Sequence, residues 1–488
     1  MTSAPCSWRA HGRWSGGLAL LVLAGCQLAP VTPPSASLPD HYPADAAAPA
    51  APAAGPQAAA LGWQNYFQDE TLRGLIRQAL ANNHDLRLAV LKVAEARAGY
   101  DIQRADQWPT LAGTAQAARG RTPADLSPIG RAVTGNQFSV GLAASSWELD
   151  FWGRVRNLSD AALENYLSTE EARRAATLGL IAQVANSYLA LGELEERLDL
   201  ARRTATSRVE SLRIFRRRTE VGATSRLELT QVELLSQQAD VLVAQLVQAR
   251  AQQAHALALL VGAGGSVPTT AGHLDDGAVM AGLAPGLPSE LLLARPDILA
   301  AEHNLRAANA NIGAARAAYF PRIALTGSYA TASSQLDGLF KSGSGDWSFG
   351  PGLSLPLFDG GRRDSALALA EVRQQQALVA YDQAVQGAFR DVADALAAQR
   401  GLSDQVQTLT RMLAVQNERT RLAQLRYDAG AVRYLEVLDA ERDRLSAEQS
   451  LVQARRALLS ARVALYAALG GGTQLAAASS ESSPSPQP

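Results

Sequence analysis

The spacing of apolar residues along the chain alternates between two periods, and these periods predict its elements. Apolar residues three and four positions apart predict a helix ahead of each region of strict alternation. In 347–358, Trp, Phe and Leu occupy odd positions while Ser and Gly fill most even ones. The same alternation around Phe138 and in 322–329, with a weaker match in 111–118, predicts four strands with one apolar face. Such strands fit a bilayer-spanning wall or a half-buried soluble sheet equally well.

Two long proline-free stretches predict helices of unusual length. Proline is absent from 129–267 and from 357–483, and each stretch has one clear break, at Gly222 and at Gly430. The 68 residues of 153–220 would form a helix about 100 Å long, which must pack lengthwise against other helices. In the helix predicted after Gly430, leucine repeats every seven residues, at Leu451, Leu458 and Leu465. Alanine repeats with the same spacing, at Ala454, Ala461 and Ala468. This pattern predicts close coiled-coil packing.

The chain contains two copies of one block. Gly153 and Gly361 are offset by 208 residues, and Asp85 and Asp297 by 212. Each copy is predicted to contain a helix, two strands and two long helices. The predicted segments are a first repeat over 69–262, a Gly/Pro-rich equatorial connector over 263–288, a second repeat over 289–470 and a disordered tail over 471–488.

The N-terminal residues predict export. Residues 1–25 contain a basic start, a short apolar core and small residues directly before Cys26. This arrangement resembles the bacterial lipobox, in which the cysteine is acylated, although an ordinary cleaved signal with an incidental cysteine has the same outline. On the first interpretation, 26–68 is an acylated N-terminal tether rich in Pro and Ala. Cys6 would leave with the signal, so Cys26 would have no disulfide partner.

The composition argues against several classes of function. Lys and Arg number 45 against 46 for Asp and Glu, so nucleic acid is not an expected partner. The six histidines have no metal-ligand spacing, and no phosphate-binding loop or nucleophile motif is present, so we expect no enzyme activity, metal or cofactor beyond the lipid on Cys26. Without a later apolar run of about 18 residues, a membrane crossing would need a closed β-barrel.

The number of strands predicts an oligomer. Four strands cannot close a barrel, and an open sheet edge in hydrocarbon leaves unpaired amides. Two chains would supply about 8 strands and three about 12, and a lumen wide enough for a solute favours the larger number.

Several motifs give the chain a close resemblance to a known family. They are the lipobox at Cys26, Glu148-Leu-Asp-Phe-Trp-Gly-Arg154, Arg295-Pro-Asp297, Ala318-Tyr-Phe-Pro-Arg322, Leu357-Phe-Asp-Gly-Gly-Arg362, Tyr427-Asp-Ala-Gly430 and Leu435-Glu-Val-Leu-Asp-Ala440. The chain resembles the TolC-type outer membrane factors, in particular the acylated efflux-channel lipoproteins. The resemblance implies an α+β membrane protein: a homotrimer with a 12-stranded barrel in the bacterial outer membrane and a long α-helical coiled-coil barrel in the periplasm. It also implies a periplasmic adaptor and an inner membrane transporter of the resistance-nodulation-division type as partners.

The resemblance also implies candidate sites at the helix turns. Asp439 and Glu436 would line a periplasmic gate, where three copies of each carboxylate surround one axis and attract cations. Both could instead pair with Arg433 or Arg442 on an exposed helix face. Tyr427 and Arg433 could latch neighbouring hairpins, although the family pattern has its basic residue at the position before Arg433. The turns at Gly222 and Gly430 would dock the adaptor.

The function expected from these features is passive conduction of small molecules out of the cell. One alternative is an outer membrane conduit for type I protein secretion. Another is a periplasmic coiled-coil adaptor lipoprotein, which would need the helices but not the strands. With three methionines in the chain, a thioether relay for soft metal ions has no support.

Overall fold

A computed structural model of the chain describes residue 29 and residues 56–262, 274–284 and 290–473. The predicted signal peptide, Cys26, most of the tether and most of the tail lie outside the described residues. The chain forms two compact units. The sheet unit comprises 94–168 and 301–381, and the helical unit comprises the described parts of 35–93, 169–300 and 382–488. Each unit draws on both copies of the repeat, and the repeat boundaries stay a prediction.

Helices dominate the described residues. They are α1 (Trp63–Tyr66), α2 (Glu70–Asn82), α3 (His84–Ala105), α4 (Arg154–Glu220), α5 (Arg226–Val261), α6 (Leu291–Ala294), α7 (Pro296–Ala317), α8 (Arg362–Asp428) and α9 (Tyr434–Ala468). The two longest, α4 and α8, have 67 residues each. In α4, one window is long and apolar enough to cross a membrane, but 56% of it is buried within the protein, as in the core helix of a soluble protein.

The four predicted strands are confirmed, including the weakest. They are β1 (Leu111–Thr122), β2 (Val133–Glu148), β3 (Arg322–Ser333) and β4 (Gly345–Ser354). All pairings are antiparallel, and the order β1-β2-β3-β4 follows the chain. Within the described residues, β1 and β4 each pair with one strand only, so the sheet is open at both edges.

The sheet has one apolar and one polar face, as its alternation predicts. Leu142 lies opposite Tyr329, which lies opposite Trp347. These three side chains are 58%, 70% and 73% exposed. On the other face, the hydroxyls of Ser328 and Ser348 are 2.8 Å apart. Because large apolar side chains in water are unfavourable, the apolar face needs a cover that the described residues do not supply.

A β-bulge near the end of β2 changes which residues share a face. The register shifts between Ala144 and Trp147, and Ser146 has a φ of 46°. The shift brings Trp147 opposite Leu325, on the apolar face, where its indole Nε1 donates to the Gln107 carbonyl at 3.1 Å. Because of the bulge, the Glu148 side chain lies on the polar face of the sheet.

Aromatic side chains form the core at one end of the helical unit. Tyr66 and Tyr466 stack with ring centroids 4.2 Å apart, and both are almost fully buried. The Tyr66 hydroxyl donates to the Arg462 carbonyl at 2.7 Å, and the Tyr466 hydroxyl donates to the Leu61 carbonyl at 2.8 Å. These bonds satisfy both buried hydroxyls and hold the segment before α2 against α9.

The described part of the connector is held by an arginine of α9. Arg455 donates to the Leu274 carbonyl at 2.7 Å and forms ion pairs with Asp276 at 2.9 Å and Glu196 at 3.2 Å. One guanidinium thus joins the connector, α4 and α9 within the helical unit.

The glycines that directly follow α5 and α9 occupy equivalent, crowded positions. Gly262 follows α5 and Gly470 follows α9, and both have a φ of 71°. A Cβ on Gly262 would lie 2.6 Å from the carbonyl oxygen of Asn82, and one on Gly470 would lie 2.4 Å from that of Ala294. Asn82 and Ala294 end α2 and α6, so the same close approach recurs in both copies.

Candidate functional site at the helix turns

The two long hairpins turn with the same backbone geometry. Gly222 and Gly430 have φ values of 75° and 74°. The amide of Ala223 donates to the Arg218 carbonyl at 2.8 Å, and the equivalent amide, that of Ala431, donates at 2.9 Å. This pattern is the Schellman motif, which requires a left-handed residue. A Cβ added at either glycine would have no neighbouring atom within 4 Å. Glycine is therefore favoured by the left-handed backbone conformation and not by a lack of room for a side chain.

The helices that leave the two turns are capped differently. Ser225 caps α5, and its side chain accepts from the Glu228 amide at 3.2 Å while Glu228 accepts from the Ser225 amide at 3.1 Å. Hydrogen bonds from Thr224 and the Ser225 amide hold the pKa of Glu228 below its usual range. Arg433 occupies the equivalent position before α9 and makes no side-chain cap. The N-terminus of α9 therefore lacks the reciprocal bonds of α5.

The predicted gate residue Glu436 pairs with an arginine across its own turn. Its carboxylate lies 2.8 Å from Arg426 of α8. Glu436 is the counterpart of Glu228, 208 residues later. Because Arg433 offers no hydroxyl, Glu436 has no capping box to complete and binds Arg426 instead. The pairing differs from the expected alternatives, Arg433 and Arg442.

Asp439 lies at the end of a short charge network. The Asp439 carboxylate lies 3.4 Å from the Arg442 guanidinium, and Arg442 also lies 3.0 Å from the Asp443 carboxylate. Asp443 in turn lies 2.6 Å from Arg419 of α8. Hydrogen bonds from Arg419 and Arg442 hold the pKa of Asp443 below its usual range. The Asp439 side chain is 44% exposed, so its pairing leaves it accessible to water and ions.

Tyr427 joins the two hairpins within one chain. Its hydroxyl accepts a hydrogen bond from Arg218 of α4, and its ring lies 4.9 Å from that of Tyr434. Tyr434 in turn packs 4.8 Å from Phe215, and its hydroxyl lies 2.7 Å from that of Ser211. Burial raises the pKa of Tyr434. The aromatic cluster connects α4, α8 and α9 beside the turns.

The similarity to known proteins is high over both copies of the repeat. The sequence profile of the family described as outer membrane efflux protein matches residues 75–263 and 287–471. The chain belongs to this family. Outer membrane protein OprJ of Pseudomonas aeruginosa is 42% identical over 459 residues, covering 93% of this chain and 95% of OprJ. Toluene efflux pump outer membrane protein TtgI of Pseudomonas putida is 43% identical over 467 residues, covering 93% and 97%. The open state of the Neisseria gonorrhoeae MtrE outer membrane channel has a TM-score of 0.83 and 39% identity, covering 92% and 99%.

Membership in the outer membrane efflux protein family confirms the broad function. The chain is an efflux component of the bacterial outer membrane that extends into the periplasm, and it is not an enzyme. Neither the secretion conduit nor the periplasmic adaptor receives support from these relatives.

Sequence reasoning missed a buried arginine next to the turns of this outer membrane efflux protein. Arg208 of α4 is 3% exposed, lies 3.0 Å from Glu441 and donates to the Leu438 carbonyl at 3.3 Å. It fixes the first turns of α9, which carry Glu436 and Asp439, against α4. No pattern in one sequence distinguishes this arginine from the many exposed ones around it.

The structure also explains two motifs that supported the resemblance. Glu148, 10% exposed in its side chain, lies 2.7 Å from Arg154 and 2.7 Å from Arg322. The ring of Trp152 stacks on Phe320 at 4.7 Å. The motif after β2 and the motif before β3 thus meet where the sheet passes into the helices. Sequence alone could not bring them together, because they belong to different copies.

Proposed function

We propose that this chain is the outer membrane channel of a tripartite efflux pump. Three copies would form a channel that passively conducts small molecules from a periplasmic adaptor and an inner membrane transporter to the exterior. The observation that carries the proposal is the open sheet: within the described residues, β1 and β4 each have one unpaired edge, and much of the apolar face is exposed.

The exposed sheet favours assembly in lipid. Every residue of β1 is exposed, and β4 has only one residue that is not. In hydrocarbon, each unpaired backbone group of an edge strand would cost several kcal/mol, roughly 2–7, so β1 and β4 must find partners. Pairing β1 of one copy with β4 of the next removes both edges. With four strands per chain, three copies supply 12, whereas two supply 8, about the size at which side chains fill the interior.

Closure of the barrel in a bilayer also gives the apolar face of the sheet a suitable environment. Large exposed side chains would face the hydrocarbon, and the small and polar residues of the other face would line a lumen. Acylation of Cys26 would add a second anchor to the same membrane.

The helix turns fit a docking and gating role. Gly222 and Gly430 would present the hairpin turns to the adaptor. Asp439 and Glu436 would form the periplasmic gate, with Tyr427 and Arg433 as candidate latches. The pairs of Asp439 with Arg442 and of Glu436 with Arg426 support a closed state in which each chain partly neutralises its own carboxylates.

Cysteine crosslinking across the open edges tests the assembly. Ala115 of β1 is replaced by Cys and combined in turn with a Cys at each position of 347–353 in β4, in the full chain with acylated Cys26. On oxidation, we expect at least one pair to give a covalent ladder that stops at three chains, and the purified complex to conduct ions in planar bilayers. Ala115→Cys alone is the matched control and should give no ladder. A ladder that stops at two chains, or a water-soluble monomer, would refute the trimeric channel.

A further inference from the structure

Three arginines without ion pairs lie at the loop end of the sheet. Arg119 and Arg121 are near the end of β1, and Arg131 is in the loop that leads to β2. All three are exposed, and none forms an ion pair with any residue that the structure describes. Most arginines elsewhere in the described chain form ion pairs, so these three belong to the minority whose charge is unpaired.

The two β1 arginines share the apolar face of the sheet. Ala115 pairs with Val140, and Arg119 pairs with Asn136 four residues further along each strand. Because side chains alternate between faces, Arg119 and Arg121 point to the same side as Ala115 and Val140. This is also the side of Leu142, Tyr329 and Trp347. The arginines therefore lie on the face that we propose is covered by lipid.

The distance of these arginines from the Leu111 end of the sheet would place them near the level of the lipid headgroups. Arg119 is eight residues after Leu111, about 26 Å along the strand at ~3.3 Å per residue. A strand tilt of about 40° reduces this to ~20 Å of depth, close to the ~25 Å apolar band of membrane barrels. The strands connect to α3, α4, α7 and α8 at the Leu111 end. In the proposed barrel that end would face the periplasm, so the arginines would lie at the outer end. A guanidinium is strongly unfavourable at the bilayer centre but tolerated at this level.

The surrounding acidic groups do not neutralise the arginines. Asp346 is near the same end of the sheet but on the polar face, since it pairs with Ala330 and adjoins Trp347. Asp337 pairs with Lys341 at 3.1 Å. Asp125, in the loop with Arg131, forms no ion pair within the described residues. The apolar face thus ends in net positive charge.

We propose that Arg119, Arg121 and Arg131 bind the phosphate groups of a phosphorylated lipid in the outer leaflet. The inference rests on the proposed barrel, because lipid must cover this face for the arginines to meet headgroups. Guanidinium groups bind phosphate oxygens with paired, charge-assisted hydrogen bonds, and apolar side chains directly below would contact the acyl chains of the same lipid. The ligand class is a lipid that carries phosphate on its headgroup, not a soluble anion.

Native mass spectrometry of the full-length protein in mild detergent tests this assignment. The probes are an acylated diglucosamine lipid with two phosphates and the same lipid without phosphate. We expect the wild type to prefer the phosphorylated lipid by at least about tenfold. The triple variant Arg119→Gln, Arg121→Gln, Arg131→Gln should lose this preference. The control variant Arg97→Gln, Arg202→Gln, Arg373→Gln, which removes three exposed arginines from helices, should keep it.

Four outcomes would overturn the inference. Equal binding of both lipids by the wild type, or an unchanged preference in the triple variant, would remove the phosphate site. Complete displacement of the lipid by millimolar inorganic phosphate would assign the site to a free anion. If the glutamine variant does not assemble, the corresponding lysine variant keeps the charge but loses the paired geometry, and an unchanged preference there would also count against the assignment. Channel conductance is recorded for the same samples, so absent conductance refutes the channel and absent lipid preference refutes only this site.

Discussion

One substitution between the two copies decides where two equivalent glutamates bind. Glu228 completes a capping box with Ser225, whereas Glu436, its counterpart, follows Arg433 and binds Arg426 across the turn. A cap stabilises a helix start by roughly 1 kcal/mol, so its loss leaves the first turn of α9 easier to open than that of α5. The turn with the weaker cap is also the one that carries the predicted gate residues.

This difference predicts a larger pH response at the first turn of α5 than at that of α9. The lowered pKa of Glu228 means that its ionised form stabilises the folded cap. That stabilisation is fully present above the unfolded-state pKa of about 4.3 and is lost as the pH falls through the lower folded-state pKa. Amide hydrogen exchange of the first turn of α5, corrected for intrinsic rates, should therefore be constant from about pH 7 to 5 and rise below about pH 4.

Glu228→Gln and the first turn of α9 are the controls for this measurement. Glutamine can complete a capping box without titrating, so the variant should exchange at a rate that does not depend on pH over this range. Because Arg433 makes no cap, α9 should respond less than α5 in the wild type. Equal responses of both turns would show that the capping box is not the titrating element.

The elements follow from the sequence wherever the period is unbroken. The alternation of apolar and polar residues predicted β2, β3 and β4, and the long proline-free stretches predicted α4 and α8. The bulge before Trp147 was missed, since no glycine or proline marks it and the register with β3 imposes it. At the turns, the glycine breaks were predicted, but the partner of Glu436 was not, because Arg426 reaches it only through the folded turn.

The glycines after α5 and α9 should be more sensitive to substitution than the glycines of the turns. Gly222→Ala adds only left-handed strain, about 1–2 kcal/mol. Gly262→Ala and Gly470→Ala add the same strain and also push a methyl group against the backbone of α2 or α6, which costs about 1–3 kcal/mol more. Thermal unfolding of the purified protein, followed by helical circular dichroism, should show a clearly lower midpoint for these two than for Gly222→Ala. Equal midpoints for all three variants would contradict the crowding at Gly262 and Gly470.

At the scale of the whole molecule, one chain leaves two requirements unmet. Within the described part of the chain, the sheet has unpaired edges and a largely exposed apolar face, and the partly exposed carboxylates near Gly430 pair with arginines of the same chain. A symmetric assembly in lipid meets the first requirement by closing the sheet. It also places equivalent copies of Asp439 around one axis, where each arginine pair limits the repulsion between carboxylates.

Removing the Asp439 carboxylate should loosen such a gate. In Asp439→Ala, Arg442 keeps Asp443 but loses its second acidic partner, and the proposed trimer loses three negative charges at its constriction. Single-channel recording should show a higher conductance and a weaker preference for cations than the wild type. Asp404→Ala, which removes an exposed carboxylate of α8 away from the turn, is the matched control and should conduct as the wild type does. If Asp439→Ala leaves both conductance and cation preference unchanged, Asp439 does not line the gate, and the charge network around Arg442 serves only to hold α8 against α9.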